Sequence, residues 1–121
     1  MIKIVLIEDD SIMISSVKLQ LKVLLKKDYE LIAFRRLEKA VHYLENNQCD
    51  LVISDINLLD SRGQDTINKL TSNSHDFKLI IISGSFNQYE VSDTNVSSYQ
   101  FVPKDIDFNE SISAAIQSVY S

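Results

Sequence analysis

The sequence is poor in the residues that break or bridge a chain, with two glycines, one proline and one cysteine among 121 residues. Set beside 45% hydrophobic and 24% charged residues, that scarcity excludes a low-complexity or disordered tract and describes a compact globular protein. Cys49 has no partner for an internal disulfide, which fits a reducing compartment, and with no neighbouring His or cation it reads as a small half-buried residue. Basic residues are in deficit, 12 against 17 acidic for a net charge of −5. The pair Arg35-Arg36 is too short to supply the clustered cationic surface that direct nucleic-acid binding requires. Long hydrophobic runs are also missing. The first apolar run is a few residues long and meets three acids, so it is neither a signal peptide nor a membrane span. A soluble cytoplasmic protein with no membrane contact is expected. The length predicts one domain over residues 1–121, large enough to remove about two-thirds of its unfolded surface from water. No internal repeat or linker is visible.

What is present is an alternation of short apolar runs with helical patterns. Residues 2–7 read as a first strand, and Asp10 or Ser11 offers an N-cap to a helix of about residues 12–27 with Ile14, Val17, Leu21 and Leu24 on one face. Residues 29–34 form a second strand. Leu37, Ala40, Val41 and Leu44 give the stripe of a second helix that ends at Asn46-Asn47. Residues 50–55 make a third strand, Asp65 or Thr66 starts a helix carrying Ile67 and Leu70, and residues 78–82 and 99–102 make the last two strands. Asp107 and Glu110 resemble a capping box that opens a final helix with Ile112, Ala115, Ile116 and Val119 buried. Residues 84–98 hold the place of another helix, but their Ser, Asn, Asp and Thr residues compete for their own backbone groups, so a short or irregular helix is expected there. The alternation predicts an α/β fold, with a parallel sheet between two helical layers.

The polar residues that stop the apolar runs carry the chemistry. Glu8-Asp9-Asp10 follow Ile-Val-Leu-Ile, Asp55 follows Leu-Val-Ile-Ser, Ser83 follows Leu-Ile-Ile-Ile, and Lys104 follows Tyr-Gln-Phe-Val-Pro. In open α/β sheets ligands bind beyond the carboxyl ends of the strands. Adjacent acids at Glu8 and Asp9 repel unless a cation or a lysine lies between them; a solvated turn with an N-cap is the competing reading. Asp55 abuts a core that rarely tolerates an unpaired carboxylate, and Lys104 is the available counter-charge. Taken singly, Lys104 reads as a surface lysine and Ser83 as a turn hydroxyl. Together these groups suit a divalent cation and a phosphoryl group. His42 and His75 have no Cys, His or Ser partner in a recognisable spacing, so neither is read as a ligand or a catalyst.

Ile4-Val-Leu-Ile-Glu-Asp-Asp10, Asp55-Ile-Asn-Leu-Leu-Asp-Ser-Arg-Gly63, Ile82-Ser83-Gly84 and Phe101-Val-Pro-Lys104 together resemble the receiver domain of two-component response regulators over nearly the whole chain. The resemblance implies a three-layer, doubly wound, five-stranded parallel sheet of order 2-1-3-4-5 with five helices, the flavodoxin or CheY-like fold. It implies that Asp55 accepts a phosphoryl group from a phosphohistidine of a sensor histidine kinase or phosphotransfer protein. Glu8, Asp9, Asp55 and the backbone carbonyl of Asn57 then hold Mg²⁺, while Lys104 and Ser83 bind phosphoryl oxygens. Ser83 and Phe101 correspond to the family's switch residues, though alternation leaves open which sheet face Phe101 occupies. A downstream effector is expected to read the surface of the fourth helix, fifth strand and fifth helix, and phosphorylation to permit a homodimer. Such a protein is not a turnover enzyme on an external substrate; it promotes its own aspartyl phosphorylation and dephosphorylation.

Three departures accompany the match. Pro103 precedes Lys104 where the family commonly has proline after the lysine, so a trans Lys104-Asp105 bond is expected. Leu59 replaces a common proline, leaving that loop less rigid. The fourth helix is weak. These departures keep alive a receiver-like adaptor that signals without phosphorylation. The chain also resembles receivers that precede a helix-turn-helix DNA-binding domain. A Mg²⁺-dependent phosphohydrolase of haloacid-dehalogenase type is a third possibility, but Glu8-Asp9-Asp10 lacks its Asp-x-Asp pattern.

Overall fold

The structure is a computed structural model that describes residues 1–26, 28–72, 76–84 and 99–120. Five strands, β1 (Ile2–Ile7), β2 (Tyr29–Phe34), β3 (Leu51–Asp55), β4 (Lys78–Ser83) and β5 (Tyr99–Pro103), alternate with helices α1 (Ser11–Leu25), α2 (Leu37–Asn46), α3 (Gln64–Thr71) and α4 (Phe108–Tyr120). All strand pairs are parallel, in the order β2-β1-β3-β4-β5. This is the predicted doubly wound sheet. The fourth helix expected over residues 84–98 lies, Gly84 apart, outside the described residues, as does His75. The final predicted helix is therefore α4.

Period-two alternation assigns the two faces. Ile4 and Leu6 of β1 join Ile53, Ile80, Ile82 and Val102 against Ile14, Val17 and Leu21 of α1 and Ile112 and Ile116 of α4. Val5 and Ile7 join Val52, Leu79 and Ile81 against Leu37, Ala40 and Leu44 of α2 and Ile67 and Leu70 of α3. Because β3 is central and covered on both faces, all five of its residues are buried, which is why it reads as an unbroken run. Phe101 lies on the α2/α3 side, partly buried, in an edge-to-face contact with Tyr99 at 5.2 Å.

Helix ends refine the predicted bounds. Asp10 caps α1 by accepting from the Ile12 N–H at 2.9 Å, and the helix closes at Leu25 because Lys26 turns to φ 57°. The α4 entry is served by Asp105, whose carboxylate accepts from the Asp107 N–H at 2.9 Å. Helix α2 starts behind Arg36, which makes no side-chain cap. Its cap comes from another loop: Asp60 accepts from the Leu37 N–H at 3.0 Å and the Glu38 N–H at 2.9 Å. No peptide bond is cis among the described residues, Lys104-Asp105 included.

Candidate functional site

Strand register brings the run endings to one edge. Ile7 is level with Ser54, so Glu8 follows in step with Asp55; Asp55 is level with Ile82, and Ser83 with Pro103, which Lys104 follows. Backbone bonds hold the exits: the Glu8 N–H donates to the Phe34 carbonyl at 2.9 Å, Ile56 to Ile82 at 2.8 Å and Lys104 to Ser83 at 2.8 Å. The edge therefore gathers Glu8, Asp9, Asp55, Ser83 and Lys104, as the sequence predicts. Asp10 is drawn off to cap α1.

The Lys104 ammonium lies 2.9 Å from Asp55 Oδ2 and 3.1 Å from Glu8 Oε1. Burial opposes its charge, yet the bonds to Asp55 and Glu8 outweigh burial and hold it above the ordinary lysine range. Glu8 is fully buried and Asp55 only 5% exposed. Burial, and next the charge of Asp55, push the Glu8 carboxyl up to about 7 against the pull of Lys104. Glu8 Oε2 is 3.0 Å from the same ammonium, so both Glu8 oxygens face Lys104.

Carboxylate oxygens of Glu8, Asp9 and Asp55 lie within 4.8 Å of one another. A hard, all-oxygen donor set drawn from three carboxylates with a single lysine among them fits a small divalent cation. The β3–α3 loop is laced on the other side of Asp55. The Asn57 N–H donates to Asp55 Oδ1 at 3.2 Å, and Asn57 Oδ1 accepts from the Gly63 N–H at 3.1 Å. The Thr66 hydroxyl donates to the Ile56 carbonyl at 2.7 Å and pairs with Ser61 at 2.9 Å. Ser83, buried, closes β4.

Sequence reasoning missed three contacts. Lys104 serves Glu8 as well as Asp55. Arg35 donates from Nη1 to the Asp9 carbonyl at 3.0 Å and from Nη2 to Ser11 Oγ at 2.8 Å. Asp60 caps α2 from the loop that follows Asp55. The rule that selected the other groups reaches Arg35 too, since it is the charged residue standing where β2 stops. Asp60 carries no such signal, because its partners are distant in sequence.

Among the described residues no helix is long and apolar enough to cross a membrane. A comparison with curated proteins finds no match. The fold is shared with solved structures at low identity. CheY4 of Vibrio cholerae, a chemotaxis response regulator, matches at a TM-score of 0.79 and 16% identity over 98% of each chain. A CheY-like response regulator receiver domain protein from Methanospirillum hungatei JF-1 matches at 0.80 and 19%, covering 99% of this chain and 94% of that one. The Mn²⁺-bound form of the response regulator Rcp1 matches at 0.78 and 21%, with the same coverage of 99% and 94%. The family model described as the response regulator receiver domain matches residues 4–116, and the chain belongs to that family of signal receivers.

Proposed function

We propose that the chain is a phospho-accepting receiver of a His-to-Asp relay, with Asp55 as acceptor. The observation that carries this reading is the Asp55 carboxylate, buried at the sheet edge, with Lys104 on one oxygen and the Asn57 N–H on the other. Asp55 attacks phosphorus of a donor phosphohistidine; the O–P bond forms, the N–P bond breaks, and the imidazole leaves with the electron pair. Glu8, Asp9 and Asp55, with the Asn57 carbonyl, would hold Mg²⁺, which neutralises charge on the transferring group. The resemblance to Mn²⁺-bound Rcp1 supports a divalent site. Lys104, already at Asp55 Oδ2, turns to a phosphoryl oxygen, and the Ser83 hydroxyl donates to another. Phe101, partly buried on the α2/α3 side, then changes its packing, and the altered surface is what a downstream partner reads. Ile12 and Ile106, 75% and 100% exposed, stand in α1 and the β5–α4 loop beside the acids and Lys104, and give a donor protein apolar surface. The reading keeps residues 1–121 as one domain and the protein in the cytoplasm.

The test is incubation with Mg²⁺ and acetyl phosphate or phosphoramidate, followed by intact-mass measurement of wild type and Asp55→Asn. One added phosphoryl group on the wild type and none on the variant is expected. An unmodified wild type points instead to a phosphorylation-independent adaptor, and phosphate released over many turnovers to a hydrolase.

A further inference from the structure

The two loops that carry the acids are tied to one short segment, Arg35–Glu38, at the start of α2. From one side Arg35 reaches the β1–α1 loop, with Nη1 on the Asp9 carbonyl at 3.0 Å and Nη2 on Ser11 Oγ at 2.8 Å. From the other, Asp60 of the β3–α3 loop takes the N–H groups of Leu37 and Glu38 at 3.0 and 2.9 Å. Arg35 and Leu37 are two residues apart. Lys104 joins the Glu8 and Asp55 side chains; within the β1–α1 loop two further bonds are local, Glu8 Oε1 accepting from the Asp10 N–H at 3.2 Å and the Asp10 cap. Neither of those bonds reaches β3.

We infer that Arg35 and Asp60 are positioning residues that form one clamp, setting the Asp9 carbonyl turn and the Asp55–Ser61 loop at a fixed separation so that Glu8, Asp9 and Asp55 meet around a divalent cation. Three features carry this. Arg36, the N-cap residue of α2, makes no side-chain cap, so Asp60 is the group that satisfies the orphan donors there. Burial works against the Asp60 charge, but the Glu38 and Leu37 N–H groups outweigh it and hold its carboxyl below the usual range, as expected at a helix N-terminus. Arg35 is exposed, so fixing it forfeits side-chain freedom that two directed, charge-assisted bonds offset. Outer partners that orient metal ligands are worth about tenfold or more in metal affinity.

At Arg35, Coulomb's law predicts the opposite sign from the clamp. Removing a positive charge beside a cation site tightens cation binding, whereas removing the strap loosens it. The inference rests on the magnesium reading of Glu8, Asp9 and Asp55, and the test separates the two. Isothermal titration with Mg²⁺ alone, at fixed ionic strength, compares wild type, Arg35→Ala, Asp60→Ala, the double variant and Arg62→Ala, a charge removed from the same loop as Asp60. Each of the first two weakens Mg²⁺ about tenfold, and the double variant is no weaker than the weaker single, because breaking either end opens one clamp. Arg62→Ala does not weaken binding. Amide exchange without metal speeds up at residues 8–11 and 56–61 in both single variants. If Asp60→Ala fails to fold, Asp60→Asn, which keeps one acceptor, gives the same direction with a smaller loss. Single variants that bind Mg²⁺ as tightly as wild type, or losses that add in the double variant, overturn the clamp alone. A wild type that takes up no Mg²⁺ overturns the magnesium reading and the clamp with it.

Discussion

Lys104 and Glu8, 96 residues apart, meet at 3.1 Å in the interior of the site. The contact makes a buried glutamate tolerable, and it leaves a lysine shared between two acids. Ionised Glu8 is still disfavoured by burial and by Asp55, which is why its carboxyl is pushed up to about 7 from an ordinary 4.5.

That shift sets a pH dependence. Between about 4.5 and 7 the folded protein holds a proton on Glu8 that the unfolded chain has lost, so stability falls as pH rises through this window and levels off above it. Urea unfolding in chelator is expected to show a lower midpoint at pH 7.5 than at pH 5. Glu8→Gln flattens the slope. The same proton competes with a cation, so Mg²⁺ binding weakens as pH drops below about 7.

Replacing Lys104 with Met leaves two buried acids facing each other. Breaking one member out of a buried ionic cluster costs about 3–5 kcal/mol. Because the lysine is partly exposed and Glu8 can take a proton, a loss of about 1–3 kcal/mol is expected in metal-free urea unfolding. Mg²⁺ restores much of it. A variant as stable as wild type without metal would mean that the Lys104 pairs are idle.

The Asp60 cap contributes stability of its own. Asp60→Ala is expected to cost about 1 kcal/mol, the usual value of a lost N-cap, and exchange should speed up at the Leu37 and Glu38 amides. Since the Asp60 carboxyl sits below its ordinary 3.8 in the folded protein, its contribution is present above that value and is lost as pH falls further. Unfolding curves at pH 6 and pH 3 check the sign.

Gly63 precedes α3 with φ 58° and ψ −134°. An added Cβ meets no atom within 4 Å, so Gly63→Ala tests backbone strain alone. The expected loss is about 1–3 kcal/mol, read from the thermal midpoint.

Much of this fold was legible because central parallel strands have a distinctive pattern. Ile4 to Ile7, Leu51 to Asp55 and Leu79 to Ser83 are buried on both faces, and their endings name the site. Register did the rest, since a parallel sheet aligns its run endings at one edge. The edge strand β5 was less readable: Phe101 and Val102 differ in face by one residue, and both are hydrophobic. Invisible from sequence were the ties made by single long-range side chains. Asp60 stands in the Asp55–Gly63 motif with no role of its own and Arg35 reads as half of a short basic pair, because a bond between loops leaves no period in the chain. The expected irregular helix over 84–98 lies, Gly84 apart, outside the described residues.

The most direct measurement locates the phosphoryl group. After incubation with Mg²⁺ and phosphoramidate, borohydride reduction converts an aspartyl phosphate to homoserine, and peptide mass mapping reads where homoserine stands. The account predicts homoserine at position 55, dependent on Mg²⁺ and greatly reduced by Lys104→Met. Homoserine at Asp9, Asp10 or elsewhere, or none anywhere in a protein that binds Mg²⁺, would contradict the assignment of Asp55 as the acceptor.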